Sequence, residues 1–165
     1  MTVSIEIPEW LYKLLRRRAE REGRTIEDLM LAAVADLLDP EARIDAYKRL
    51  FYKYLEDAER LYQKGDLVQA GEKLWGAVTA LLNIIGELEE KPHYSHADYW
   101  DLVEAIAEVT NDPEYSTLFT LAERLHANYY HAFLRPMTFR AYWEAGEKLV
   151  EKLRRYLHEK HKIDV

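Results

Sequence analysis

The stretch Lys64-Gly65-Asp66-Leu67-Val68-Gln69-Ala70-Gly71-Glu72-Lys73-Leu74-Trp75-Gly76-Ala77-Val78 decides the fold. Gly65 stops one helix, and Asp66 is placed to cap the next by accepting from its first free backbone N–H groups. After the cap, Val68, Gly71, Leu74, Trp75, Val78, Leu81, Leu82 and Ile85 recur at three- and four-residue steps, an apolar stripe at helical period. Ala70, Gly71, Gly76 and Ala77 are small enough to let a neighbouring helix come close. Upstream, Ile44, Tyr47, Phe51, Tyr54, Ala58, Leu61 and Tyr62 make a matching stripe. The two stripes and the short break between them predict an antiparallel helical hairpin.

Working outward, residues 89–95 contain Pro92 and read as a loop. Helices are expected over 96–109 and 114–134, separated by Asn111-Asp112-Pro113 with Asp112 as cap, and a last one over 138–160. Four or five helices with short connections predict an all-α, up-and-down antiparallel bundle over residues 40–165. Tyr47, Tyr54, Tyr62 and Tyr129 fall on the apolar stripes, so the tyrosines are read as packing residues and not as a base-stacking platform.

The first 39 residues read as a separate unit. Val3, Ile5 and Ile7 alternate with Ser4 and Glu6, the period of a short strand with one buried face. Pro8 ends it and opens a helix carrying Trp10, Leu11, Leu14 and Leu15, which Gly23 stops. Thr25, with Asp28 three residues on, caps a second helix through Leu38, and Pro40 closes the unit. Strand, helix, glycine turn and capped helix resemble the ribbon-helix-helix fold of small dimeric repressors. That resemblance implies an intertwined dimer in which Thr2, Ser4 and Glu6 face outward from the strand and Thr25 holds phosphate, making Thr2, Ser4 and Thr25 the candidate DNA contacts. Charge speaks against DNA reading: a carboxylate at an outward position repels phosphate, and residues 1–39 hold six Lys and Arg against eight Asp and Glu.

Composition bounds the rest. With 165 residues, 48% of them hydrophobic, the chain has material for one large core, or one core plus a small module. Cysteine is absent, which removes disulfides, thiolate metal sites and cysteine nucleophiles and fits a reducing cytoplasm. No apolar run approaches a membrane span, so a soluble cytoplasmic protein is expected. Charged residues make up 32% while Asn and Gln are scarce, the balance of a thermophilic protein. The net charge of -7 gives no general field for nucleic acid.

The segment 62–77 also looks like part of a tetratricopeptide repeat, but no copy recurs at a spacing of about 34 residues, which excludes a repeat array. A different resemblance covers more. The phrases Lys64-Gly65-Asp66-Leu67-Val68-Gln69-Ala70, Glu72-Lys73-Leu74-Trp75, His96 with Trp100, and Leu125-His126-Ala127-Asn128-Tyr129-Tyr130, in that order over about residues 40–157, resemble the archaeal PaREP family. That family belongs with the HEPN-like helical bundles (higher eukaryotes and prokaryotes nucleotide-binding). The resemblance implies a homodimer-prone bundle with a role near nucleotides or RNA. Active ribonucleases of the HEPN class carry an arginine and a histidine on one helix with four to six residues between them, a count that Arg124 and His131 satisfy with six.

Seven positions make nearly two helical turns, so Arg124 and His131 leave the same face, with Asn128 between them. In a cleaving reading His131 is general acid or base, Arg124 stabilises the phosphorane charge, and Asn128 orients the substrate or the imidazole. The bland reading is that these are surface or interface residues. On the helical wheel His126 falls on the opposite flank, near Phe119 and Phe133, as a hydrogen-bonded boundary histidine or a ligand contact. His93 with His96, and His158 with His161, have metal-compatible spacing but no carboxylate at a dedicated spacing, so neither a metal nor a cofactor is expected. No glycine-rich phosphate loop, nucleophile elbow or paired-carboxylate motif occurs. The favoured expectation is a non-catalytic dimeric helical binding module; the alternatives are a metal-independent ribonuclease and a ribbon-helix-helix DNA-binding regulator.

Overall fold

A computed structural model describes residues 3–165, all of whose regular structure is helical. Seven α-helices run in chain order: α1 (Glu9–Glu22), α2 (Ile26–Val34), α3 (Pro40–Gln63), α4 (Leu67–Leu88), α5 (His96–Thr110), α6 (Glu114–His131) and α7 (Pro136–His161), with a single 3-10 turn at Ala35–Leu37. No helix is long and apolar enough among these residues to cross a membrane.

Local chemistry sets the boundaries. Thr25 Oγ1 accepts from Asp28 N at 3.1 Å, Asp39 Oδ1 from Ala42 N at 2.8 Å and Asp66 Oδ1 from Gln69 N at 3.2 Å, each satisfying an N–H that the first helical turn leaves open. Ser95 and Asp98 form a reciprocal capping box at the start of α5. Gly23, at φ 65°, ends α1 in the left-handed region, where glycine carries no Cβ penalty.

Helix α4 is the centre of the bundle. It is buried on almost every side and packs against α3, α6 and α7, with a lighter contact to α5. The glycines on it do what the sequence suggests. A Cβ on Gly71 would lie 3.1 Å from Phe139 and 3.3 Å from Leu125, and one on Gly76 would lie 3.0 Å from Tyr54. Tyr47, Phe51, Tyr54, Trp75, Tyr99, Phe119 and Phe139 fill the core.

Several boundaries differ from expectation, among them the end of α2, which stops at Val34 where the 3-10 turn takes over, short of the expected Leu38. Helix α6 stops at His131, three residues short of the expected end, because Ala132 turns left-handed at φ 47°. Residues 3–7 form no strand: they carry no regular structure, and among the described residues no backbone hydrogen bond ties them to the rest. Val3 and Ile5 are 72% and 78% exposed. A strand needs a neighbour for its N–H and C=O groups, and the single chain offers none.

Candidate functional site

The turn between α1 and α2 is inserted into the bundle. Gly23 O accepts from Trp75 Nε1 at 2.9 Å, the Thr25 and Tyr54 hydroxyls lie 2.6 Å apart, and both Asp28 carboxylate oxygens accept from Asn83 Nδ2 at 3.1 Å. Asn83 Oδ1 in turn accepts from the Tyr99 hydroxyl. Arg24 is also buried and donates to the Asp28 carbonyl at 3.1 Å. Burial pushes the Asp28 carboxyl up, against the pull of the Arg24 charge and the Asn83 amide. The N-terminal unit thus shares a polar core with α3, α4 and α5. Thr25, a candidate phosphate contact, is 1% exposed, and its hydroxyl is taken up by Asp28 N and Tyr54, so in this arrangement it cannot reach DNA. Ser4 is exposed, and Thr2 lies outside the described residues.

The three residues expected as a stripe on α6 have different surroundings. Arg124 is exposed. His131 is exposed as well, with Nε2 3.2 Å from Glu20 Oε1 of α1. Asn128 is buried, and its Oδ1 accepts from Leu134 N at 2.7 Å, closing the turn that follows the helix. Its acceptor oxygen is therefore directed at the backbone, away from Arg124 and His131.

His126 is at the better-built site. It is 6% exposed, and its Nδ1 lies 2.8 Å from Oε2 of Glu72, which is equally buried on α4. Its neighbours are Trp75 and Tyr130, with ring centroids 5.7 and 5.2 Å away; Phe133, expected nearby, lies exposed beyond the helix end. Burial pushes the Glu72 carboxyl up, while the imidazole draws it back. The other ring nitrogen, Nε2, is buried and has no hydrogen-bond partner. His126 borders a cavity of about 270 Å³ between the end of α1, the start of α5 and α6. On the same wall His96 contacts Glu123 through Nε2, which raises the His96 pKa, and His131 meets Glu20. Three carboxylate–imidazole pairs therefore surround one space. Sequence reasoning singled out His126 and His131 here but missed Glu72, His96, Glu123 and Glu20 as a group, because the partners come from four different helices.

The histidine pairs weighed for metal are also split. His93 Nε2 lies 3.1 Å from Glu87, His158 Nδ1 2.7 Å from Asp164 and His161 Nε2 3.0 Å from Glu89. Among the described residues no three His, Asp or Glu side chains converge as a metal ion requires.

The phrases that carry the family resemblance meet at this place: His96 from one helix and His126 and Tyr130 from another line the space, and Glu72 and Trp75 from a third contact His126. The profile of the archaeal PaREP1/PaREP8 family matches residues 46–150, more than half of the chain. The chain belongs to that family. Neither the curated proteins nor the solved structures give a match. The family match spans α4, α5 and α6 completely, and so every bundle residue named at the cavity. It leaves out α1 and α2, which supply Glu20 and the glycine turn.

Proposed function

We propose that this PaREP1/PaREP8 protein is a non-catalytic, dimeric binding module: a HEPN-like helical bundle whose ribbon-helix-helix-like N-terminal unit holds a second copy of the chain. The observation that carries the reading is the apolar face left uncovered on α1 and α2. A groove of about 600 Å³ runs there, bordered by Leu15, Leu29, Met30, Ala33 and Val34. Trp10 and Leu14 stand exposed on α1, and Val3 and Ile5 on the extended segment before it. Exposed apolar side chains gathered on one small unit, Met30 and Val34 of the groove among them, suit a protein interface. The occupant that suits it is a second copy, because two identical segments 3–7 can pair antiparallel about a two-fold axis, each supplying the backbone partners that the other lacks, with Val3, Ile5 and Ile7 closing over the helices.

The test is sedimentation velocity over a concentration series for the parent chain and for Ile5→Asp and Leu14→Glu. A parent dimer with both variants shifted to monomer supports the reading; a parent that stays monomeric at every concentration rejects it. A mixed RNA pool incubated in chelator with the parent and with His131→Ala addresses the ribonuclease alternative. Fragments made by the parent alone would replace a non-catalytic module with an enzyme using Arg124 and His131.

A further inference from the structure

We propose that the arginine-rich face formed by α1 and the turn between α6 and α7 is a docking surface for single-stranded nucleic acid. Charge is strongly segregated along the chain: residues 10–21 and 124–143 hold eight Lys and Arg against one Glu, while the remaining residues hold fifteen against twenty-nine Asp and Glu. The fold brings the two basic segments side by side. The Arg16 guanidinium lies 5.6 and 5.4 Å from the ring centres of Tyr129 and Tyr130, and the Tyr130 hydroxyl donates to Arg16 O. The turn follows directly after His131, and chain connectivity keeps Arg135 within about 15 Å of that histidine. Arg124 leaves α6 on the His131 face, and Arg140 lies just past the first turn of α7. Among the described residues Arg16, Arg17, Arg21, Arg124, Arg135 and Arg140 pair with no carboxylate, and all but Arg16 are fully exposed. The carboxylates at the margins are already engaged, Glu9 by Lys13, Glu22 by Arg18 and Glu123 by His96, while Glu20, within the face, meets His131.

A chain of net charge -7 that gathers unpaired cations on one face has a local field for a polyanion where it has none overall. That the cations are arginines matters, because the planar guanidinium fork meets two phosphate oxygens at once. Aromatic rings lie among them: Tyr12 is 38% and Phe133 48% exposed. Cations interleaved with open rings suit a single strand, whose backbone follows the charges while its bases stack on the rings; a duplex keeps its base faces hidden. An anionic lipid surface suits the face less, since the turn offers Phe133 and Met137 for insertion, too little apolar surface for stable anchoring. The inference goes beyond the dimer reading and does not rest on it, because both segments belong to one copy. A chain that stays monomeric yet binds the strand, or one that dimerises and binds none, separates the two.

The experiment is fluorescence anisotropy of a labelled 2′-O-methyl oligo(U) of about 16 nucleotides. This strand keeps the RNA backbone but has no free 2′-hydroxyl, so binding is read apart from cleavage. The full chain is compared with the pair Arg17→Glu and Arg21→Glu, the pair Arg135→Glu and Arg140→Glu, Phe133→Ala, and Lys162→Glu at the far end of α7 as a control. All of these side chains are exposed, so the variants should fold, which a circular dichroism melt of each verifies. The expected result is saturable binding that weakens with added salt, a loss of about tenfold or more in each double variant, about fivefold or more in Phe133→Ala, and no more than about twofold in Lys162→Glu. Absence of binding at low salt, equal binding by the folded double variants, or a loss in Lys162→Glu as large as theirs would each overturn the inference. So would binding of phosphatidylglycerol vesicles where the strand does not bind, or displacement of the strand by polyglutamate as readily as by unlabelled strand.

Discussion

Asp28 of α2 and Asn83 of α4, 55 residues apart, meet in the interior with both carboxylate oxygens 3.1 Å from one amide nitrogen. Asp28 is fully buried, and Arg24 lies beside it, 1% exposed. The contact joins the N-terminal unit to the bundle through polar chemistry where an apolar seam would be usual. Replacing Asp28 by Leu leaves the Asn83 amide without its acceptor and the buried Arg24 guanidinium with only Glu22, 3.9 Å away, as a nearby negative charge. A loss of about 3–5 kcal/mol is expected, measured as the drop in unfolding free energy in urea. A change below about 1 kcal/mol would mean that the network carries little of the stability.

Close approach of loop and helix is tested at Gly86. A Cβ there would sit 2.5 Å from Nδ1 of His93 and 2.7 Å from its Cβ. The ring cannot swing aside freely, since it is 3% exposed and held by Lys91 O at 2.8 Å and Glu87 at 3.1 Å. Alanine gains up to about 1 kcal/mol of helix propensity over glycine, but the collision outweighs it. Gly86→Ala should lose about 2 kcal/mol net, seen as a melting temperature lower by about 4–8 °C.

Helices and the caps at Thr25 and Asp66 were legible because they depend on residues within one or two turns, each cap accepting from a residue three positions on. Asp39 and Ser95 cap by the same chemistry but were not singled out, and Asp112, expected as the cap of α6, accepts from Glu114 N while Pro113 holds the cap position. The small residues of α4 were legible for the same reason, as a pattern on one face. The cavity was not. Glu72 and His126 are 54 residues apart, and which helix faces which is a tertiary property that no single wheel contains. The wheel also failed at Asn128, because it assumed a helix continuing to 134, whereas the turn at Ala132 brings Leu134 N back onto the Asn128 side chain. The alternation at residues 3–7 was legible as a two-faced pattern, but strand formation depends on a partner that the pattern cannot supply.

Asn128 gives a prediction that separates cap from catalyst. Its oxygen satisfies a backbone N–H at the end of α6, so Asn128→Ala should cost about 1–2 kcal/mol and speed amide exchange over residues 132–135. Asn128→Asp keeps the acceptor and should recover most of the stability. If RNA cleavage is detected in the parent, it should survive Asn128→Asp; loss of cleavage in a stable Asn128→Asp protein would give the amide a direct role.

Glu89 anchors the C-terminal end of α7. Burial works to raise its carboxyl, but hydrogen bonds from Lys160, Tyr156 and His161, with Lys91 close by, outweigh that and hold it down at about 2, below its ordinary 4.5. A depressed carboxylate contributes stability that is fully present above the unfolded value and is lost as pH falls through the folded one. The melting-temperature gap between the parent and Glu89→Gln should be widest above about pH 5 and should shrink from there toward pH 2. A gap independent of pH would show that packing, and not charge, accounts for it.

His96 titrates with the opposite sign. The contact with Glu123 raises its pKa above 6.5, so the charged pair stabilises the folded chain fully below that value and less as pH rises through the folded pKa. In thermal melts His96→Gln should lie furthest below the parent at about pH 5–6 and should approach it in alkaline buffer. Glu123→Gln should reproduce that profile, because it removes the same pair from the other side. Gly23 adds a local check: the His96 ring lies where a Cβ on Gly23 would be, 2.6 Å from its Cδ2, and Gly23 has φ 65°. Gly23→Ala should therefore displace the imidazole from Glu123 and flatten the pH dependence as well as lowering stability; a Gly23→Ala protein with the parent's pH profile would show that the ring keeps its carboxylate partner without the room that the glycine provides.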